Sequence, residues 1–262
     1  MSAAVLEPEL AALAVSAVAS LLAGLVDAIV GGGGLVLLPA LFATFPQAPP
    51  ATLFGTNKSA SVWGTSFAAA QYLKRVSLPW DQVLPAVACA GVGALAGAWM
   101  VTLVDGSALR KVLPLILGAV LVYTVLRKDL GTAHAPRHEA RQARRIAALI
   151  GLLVGWYDGF FGPGTGSFFI FALVRLLGWD FLHASAGAKL MNVATNLTAL
   201  ALFAAKGHVV WALGLTMAVA NVAGSLIGAR LALRHGAGFV RGVFIAVVSL
   251  LIVRTAWDAW LR

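Results

Sequence analysis

Apolar residues run through this chain in blocks, separated by short polar stretches, and the blocks fall into two sets of four. The first set covers roughly 10–45, 53–73, 82–104 and 108–126. The second covers roughly 146–177, 183–205, 209–233 and 238–260. Blocks of about 20 apolar residues match the length a helix needs to cross a bilayer. The short alternating segments of a membrane β-barrel do not occur. The leading block of each set is interrupted by glycine, at Gly31 to Gly34 and at Gly162 to Gly166. The pattern predicts an all-α polytopic membrane protein built from two repeats of about four apolar helical elements each. The first element of each repeat is broken at a Gly-rich segment. The domain boundaries that follow are an N-terminal transmembrane repeat over 1–127, a basic linker over 128–145 and a C-terminal transmembrane repeat over 146–262.

The two sets are related in register as well as in hydropathy. The run Gly24-Leu25-Val26-Asp27-Ala28-Ile29-Val30-Gly31-Gly32-Gly33 returns 131 positions later as Gly155-Trp156-Tyr157-Asp158-Gly159-Phe160-Phe161-Gly162-Pro163-Gly164. The same offset carries Lys58 onto Lys189, Trp80 onto Trp211, Gly93 onto Gly224, Gly97 onto Gly228 and Arg110 onto Arg241. Duplicated, interrupted apolar segments of this kind mark transporters built from two structural repeats.

Composition narrows the class further. Hydrophobic residues make up 60% of the chain and charged residues 11%, with a mean hydropathy of +0.90. Soluble domains are nearer half apolar and a quarter charged. The net charge of +9 would suggest nucleic acid in a soluble protein. Here the Lys and Arg residues lie mostly between apolar blocks, where they set orientation, so no nucleic-acid partner is expected. If each interrupted element crosses once, the linker side carries ten Lys and Arg and the other side six. If each goes in and comes back as a hairpin, the division becomes twelve against four. The hairpin threading obeys the positive-inside rule better, places the linker in the cytoplasm and makes the repeats inverted. It also puts both termini, including acidic Glu7 and Glu9, outside. Its returning arm, about 33–45, is short for a crossing. The N-terminus lacks the basic region of a signal peptide, so the first apolar block is expected to be retained.

Three features carry candidate chemistry. Four glycines in a row cost about 1 kcal/mol each in a helix relative to alanine, which argues for a deliberate break. A break in a membrane helix exposes N–H groups and the positive end of a half-helix dipole, which suits an anion. Gly31, Gly32, Gly33 and Gly34 form the first such segment. Gly162, Gly164 and Gly166, with Pro163, Thr165 and Ser167, form the second. The competing reading is close helix packing, which fits Gly91, Gly93, Gly97, Gly224 and Gly228 better. Second, Lys189, Asn192 and Asn196 share one helix face, and Lys58, Ser61 and Thr65 repeat that spacing beside Asn57. Such a stripe suits an oxyanion, whereas a lone lysine near a helix start would snorkel to the interface. Third, Asp27 and Asp158 each stand one turn before a break. Either residue carries a coupling proton, or each pairs with a lysine to hold the broken helix.

The remaining residues offer less. Trp80 and Trp211 open equivalent helices as interface anchors. Cys89 and His183 lack metal-ligand spacing, and no metal or cofactor is expected. No catalytic triad order, Walker loop or dinucleotide fingerprint occurs, so no enzymatic activity is expected.

The chain resembles the TauE/SafE family of sulfite-exporter-like permeases. The likeness rests on Gly24-Leu25-Val26-Asp27 through Gly34, Pro39, Thr56-Asn57-Lys58, Tyr157-Asp158-Gly159-Phe160-Phe161-Gly162-Pro163 and Ala188-Lys189-Leu190-Met191-Asn192. It covers nearly the whole length and both halves. The resemblance implies a bacterial inner-membrane carrier of sulfite, a sulfonate or a related small anion. Together with the residues above, it leads to an expected alternating-access transporter with an anion channel as the alternative. The expected substrate-binding set is Gly31, Gly32, Gly33, Gly34, Asn57, Lys58, Ser61, Gly162, Gly164, Thr165, Gly166, Ser167, Lys189, Asn192 and Asn196. The expected partners are the anion and the lipid bilayer, and the sequence leaves open whether the chain is a monomer or a homodimer.

Overall fold

The computed structural model describes residues 10–104 and 137–260, with side chains as far as His235. All regular structure among the described residues is helical. Helix α1 spans Leu10–Val30 and α2 spans Gly33–Thr44. Helix α3 spans Pro50–Leu73 and α4 spans Trp80–Val101. After the linker come α5 (Ala140–Phe160), α6 (Thr165–Ala172), α7 (Phe181–Ala205) and α8 (Trp211–Trp260). A single π-helical turn, Leu173–Leu177, extends α6.

Local chemistry explains these boundaries. Gly31 ends α1 with φ at 75°, and Gly162, at the equivalent position after α5, has φ at 93°. Both values lie in the left-handed region that glycine adopts without a Cβ penalty. Pro50 occupies the first position of α3, where its missing N–H costs nothing. Asp180 caps α7 by accepting from the N–H groups of Leu182 and His183 at 2.8 and 2.9 Å. At an offset of 131, α3 and α7 begin together (Pro50, Phe181), as do α4 and α8 (Trp80, Trp211).

Among the described residues, four segments are long and apolar enough to span a bilayer: α1, α4, α7 and Trp211–His235 of α8. Helix α2, of 12 residues, reaches only about 18 Å against a hydrocarbon core of about 30 Å. The broken elements fold back on themselves. A Cβ on Gly33 would touch the main chain of Ala23 and the side chain of Asp27, ten and six residues earlier, as only a reversal of the chain permits. At the other break, Arg137 donates to the Arg175 carbonyl at 2.9 Å, and its N–H donates to the Leu177 carbonyl. The residues before α5 therefore lie beside the end of the α6 arm. The C-terminal broken element returns to the side from which it started.

The helices pack reciprocally. A Cβ on Gly224 would run into the Leu21 carbonyl, and one on Gly93 into the Leu152 carbonyl. Gly228 meets the Leu25 carbonyl as Gly97 meets that of Trp156. Gly24 abuts Asn221 as Gly155 abuts Ala90. Every pair maps onto its mate by the same 131 positions, so α1 packs on α8 as α5 packs on α4. These glycines bring helix backbones into direct contact, the role expected for Gly93, Gly97, Gly224 and Gly228.

Two expectations meet different structure. Helix α5 starts at Ala140, within the stretch read as linker. Helix α8 continues through residues 234–237, where the pattern had divided 209–233 from 238–260. Isolated glycines there, without a proline, do not stop a helix. The apolar block at 108–126 lies outside the described residues.

Candidate functional site

The two helix breaks cross. The Gly31 carbonyl accepts from the Ser167 N–H at 3.3 Å, and a Cβ on Gly31 or Gly166 would strike the other's backbone. Beside this crossing lies a small, partly open pocket. Helix α1 and its break supply Asp27 and Gly31, and α2 supplies Gly34. Helix α3 contributes Asn57, Lys58, Ser61 and Thr65. Asp158 and Gly162 come from α5 and its break, Thr165 and Gly166 from α6, and Asn192 and Asn196 from α7.

The α3 stripe follows from helical spacing, and its mate on α7 from the repeat. Asn192 is the counterpart of Ser61 and Asn196 that of Thr65. Because α3 begins at Pro50, Lys58 stands eight residues into the helix, about 12 Å from its start. It is 4% exposed and Lys189, at the same depth in α7, is 1% exposed. Neither snorkels.

The two lysines nevertheless differ. Lys58 Nζ donates to Asp158 Oδ2 at 2.5 Å, a buried ion pair between the repeats. Lys189 Nζ donates instead to the main-chain carbonyl of Asp27 at 2.9 Å and sits 5.1 Å from the centre of the Tyr72 ring. The Asp27 carboxylate accepts from the Thr65 hydroxyl at 2.9 Å and, at 3.4 Å, from the Gly33 N–H. One carboxylate thus has a cation on its oxygens and the other does not.

Several expected residues lie outside the pocket wall. Lys189 is behind it, held by Asp27 and Tyr72. Ser167 donates its hydroxyl to the Val30 carbonyl at 2.7 Å and ties one break to the other. Gly32 caps α2, Gly33 begins it and Gly164 caps α6. Thr165 lines the pocket while its hydroxyl donates to the Gly162 carbonyl at 2.7 Å. Tyr72 is a residue that sequence reasoning passed over. It lies two heptads beyond Lys58 on the same face, but its counterpart is Phe203, so comparison of the repeats hid it.

Polar capacity remains open in the wall. Asn57 Oδ1 is buried without a hydrogen-bond partner. Buried polar atoms are rarely left so, and a facing ligand or water would satisfy this one. Among the described residues, no group of three or more His, Cys, Asp or Glu side chains could hold a metal ion.

Comparison with known proteins places the chain. The family model described as Sulfite exporter TauE/SafE matches residues 16–255. The probable membrane transporter protein YfcA of Escherichia coli K12 is 37% identical over 246 residues, covering 92% of this chain and 88% of its own. The probable membrane transporter protein ORF9 of a Sinorhizobium species is 34% identical over 241 residues, covering 92% and 91%. A probable membrane transporter protein of Haemophilus influenzae is 33% identical over 240 residues, covering 90% and 91%. No solved structure gives a significant match.

Proposed function

The chain belongs to the sulfite exporter TauE/SafE family, whose relatives are named as membrane transporters, and on that premise we propose that it carries a small anion across the bacterial inner membrane by alternating access. The substrate in this reading is sulfite or an organosulfonate. The observation that carries it is the pocket at the crossing of the two breaks. That pocket brings together glycine backbone, the lysine of one repeat and the asparagines of the other.

The chemistry of the wall favours an oxyanion. Ser61, Asn192 and Asn196 make no side-chain hydrogen bond to protein among the described residues, so their donors face the space. Lys58 supplies a positive charge that an anion can share with Asp158. The N–H groups of the Asn57 amide offer a further donor, and the glycines let a ligand approach main-chain N–H groups closely. Charged groups deep in a membrane protein mark the substrate path.

Motion follows from the same arrangement. In this reading the broken elements are hairpins, the repeats face opposite ways and both termini lie in the periplasm. The basic stretch between the repeats then lies in the cytoplasm. Rocking of one helix group against the other would open the pocket to each side in turn.

The test is a thermal-shift screen of the purified protein with sulfite, sulfate, thiosulfate, methanesulfonate, sulfoacetate and taurine, followed by flux in proteoliposomes. Ligands of the folded state raise its apparent stability. Stabilisation by sulfite or a sulfonate, lost in Lys58→Ala, supports the carrier. Absence of any shift and of any flux rejects the substrate class. Passive flux at channel rates would replace the carrier with a pore.

A further inference from the structure

The ionisable groups around the pocket sum to zero. Asp27 and Asp158 supply two negative charges, and Lys58 and Lys189 supply two positive ones. Of the four, Lys58, Asp158 and Lys189 are at most 4% exposed. A monovalent anion entering this set leaves one negative charge uncompensated in a medium that solvates charge poorly. Moving such a site between the two faces of a membrane is costly unless the charge is cancelled.

A proton is the available counter-charge, and the two carboxylates are not equal candidates for it. Asp158 has the Lys58 ammonium on its Oδ2. Asp27 has a hydroxyl at 2.9 Å and an N–H at 3.4 Å on its carboxylate, while the Lys189 ammonium bonds its carbonyl. Asp27 also lines the pocket, so a proton from solvent can reach it. Resting on the anion reading above, we infer that Asp27 takes up a proton when the anion binds, so that anion and proton load the site together. The anion then shares the Lys58 ammonium, and the Asp27 carboxyl turns neutral beside it.

The other groups facing Asp27 do not serve as well. Helix α3 presents Lys58 and Tyr72, whose hydroxyl donates to the Ala28 carbonyl at 3.1 Å. Helix α7 presents Lys189 and α5 presents Asp158. Helices α2 and α6 contain no titratable residue. Helix α8 meets α1 through Asn221, Gly224, Ser225 and Gly228.

Methanesulfonate is the probe, because its own charge does not change near neutral pH. Proton uptake on binding is read by calorimetry of the purified full-length protein in buffers of different ionisation enthalpy. Wild type should take up about one proton per anion, and its affinity should fall about tenfold per pH unit once Asp27 is ionised before binding. Asp27→Asn should bind the anion with no proton uptake and no such pH dependence. Binding by wild type without proton uptake overturns the inference and leaves the anion carrier standing, and this readout needs no variant to fold. Undiminished uptake by folded Asp27→Asn overturns it as well. Absence of methanesulfonate, sulfite and sulfoacetate binding overturns both readings.

Discussion

Lys58 and Asp158 form a buried ion pair at 2.5 Å, and each belongs to a different repeat. The equivalent residues of the swapped repeats, Lys189 and Asp27, meet through a main-chain carbonyl instead. Loss of one member of a buried pair leaves the other charged and unsatisfied, which costs about 3–5 kcal/mol. Lys58→Ala and Asp158→Ala should each lower the unfolding free energy by about that much. The double variant should lose clearly less than the sum, because no orphaned charge remains. A double-mutant cycle of unfolding in detergent measures this. Strict additivity would mean that the two side chains do not interact.

The left-handed glycines Gly31 and Gly162, at equivalent positions of the two breaks, separate backbone strain from crowding. A Cβ at either position forces a left-handed residue, at about 1–2 kcal/mol. At Gly162 the nearest atom to a Cβ is the Asp158 carbonyl at 3.3 Å, a tight contact that a small shift relieves. At Gly31 the Cβ would meet the Gly166 main chain at 2.5 Å. Gly31→Ala should therefore destabilise the protein clearly more than Gly162→Ala, and should also weaken anion binding by prising the breaks apart. Equal melting temperatures for the two variants would show that the crossing is looser than the structure has it.

Glycine substitutions test the reciprocal packing of the helices. Gly93→Ala and Gly224→Ala each place a methyl group on a backbone carbonyl of the partner helix. Overpacking of this kind costs about 1–3 kcal/mol. The two losses should agree within error, because the interfaces are copies. Gly91→Ala is the control: its Cβ meets the Thr198 side chain, whose methyl group at 3.2 Å can yield. A loss at Gly91 as large as at Gly93 would contradict the contact pattern.

Much of this architecture could be read from the chain, for a physical reason. Membrane helices need long apolar blocks, and helix breaks need residues that tolerate unusual dihedrals, so both leave marks in sequence. Gly31, Gly162 and the Lys58 and Lys189 stripes stood out accordingly. Three things did not. Pro50 lies in a loop by composition yet opens α3, which moved Lys58 from a helix end to a depth of about 12 Å. Ser167 looked like a donor to substrate, but hydroxyl direction depends on the neighbouring backbone, and the Val30 carbonyl claims it. The unequal state of the two lysines was hidden because the repeat offset aligns residue types and not their contacts.

The start of α7 predicts an acid-labile element. Burial raises the Asp180 carboxyl, but the N–H and ring of His183 and the N–H of Leu182 outweigh it and hold Asp180 below the ordinary carboxylate range. Its folded pKa is thus lower than its unfolded one. The stability it contributes is present above the unfolded value and is lost as pH falls through the folded value. Asp180→Ala should cost about 1 kcal/mol at neutral pH, the usual worth of an N-cap, and much less in strong acid. Melting temperatures of wild type and variant should therefore converge as pH falls below the ordinary carboxylate range. A constant gap would assign the effect to packing instead of charge. The equivalent position in the first repeat is Pro49, so α3 should show no such response.

Ser167 and Asn192 separate holding the site together from holding a ligand. Helix α1 ends with carbonyls that have no partner within the helix, and Ser167 satisfies that of Val30 at 2.7 Å. Its counterpart is Val36, so only one of the two breaks has this tie. Ser167→Ala strands a buried acceptor, at about 1–3 kcal/mol, but removes nothing from the pocket wall. Asn192 lines the pocket with an amide that makes no bond to protein among the described residues. Asn192→Ala should leave the melting temperature of the empty protein nearly unchanged and weaken anion binding about tenfold, the worth of one hydrogen bond to a charged group. Ser167→Ala should do the reverse, lowering stability while keeping affinity. Measured together by thermal shift with and without anion, the two variants should fall on different axes. If Ser167→Ala instead loses affinity without losing stability, its hydroxyl leaves Val30 for the ligand, and the tie between the breaks is itself part of the binding site.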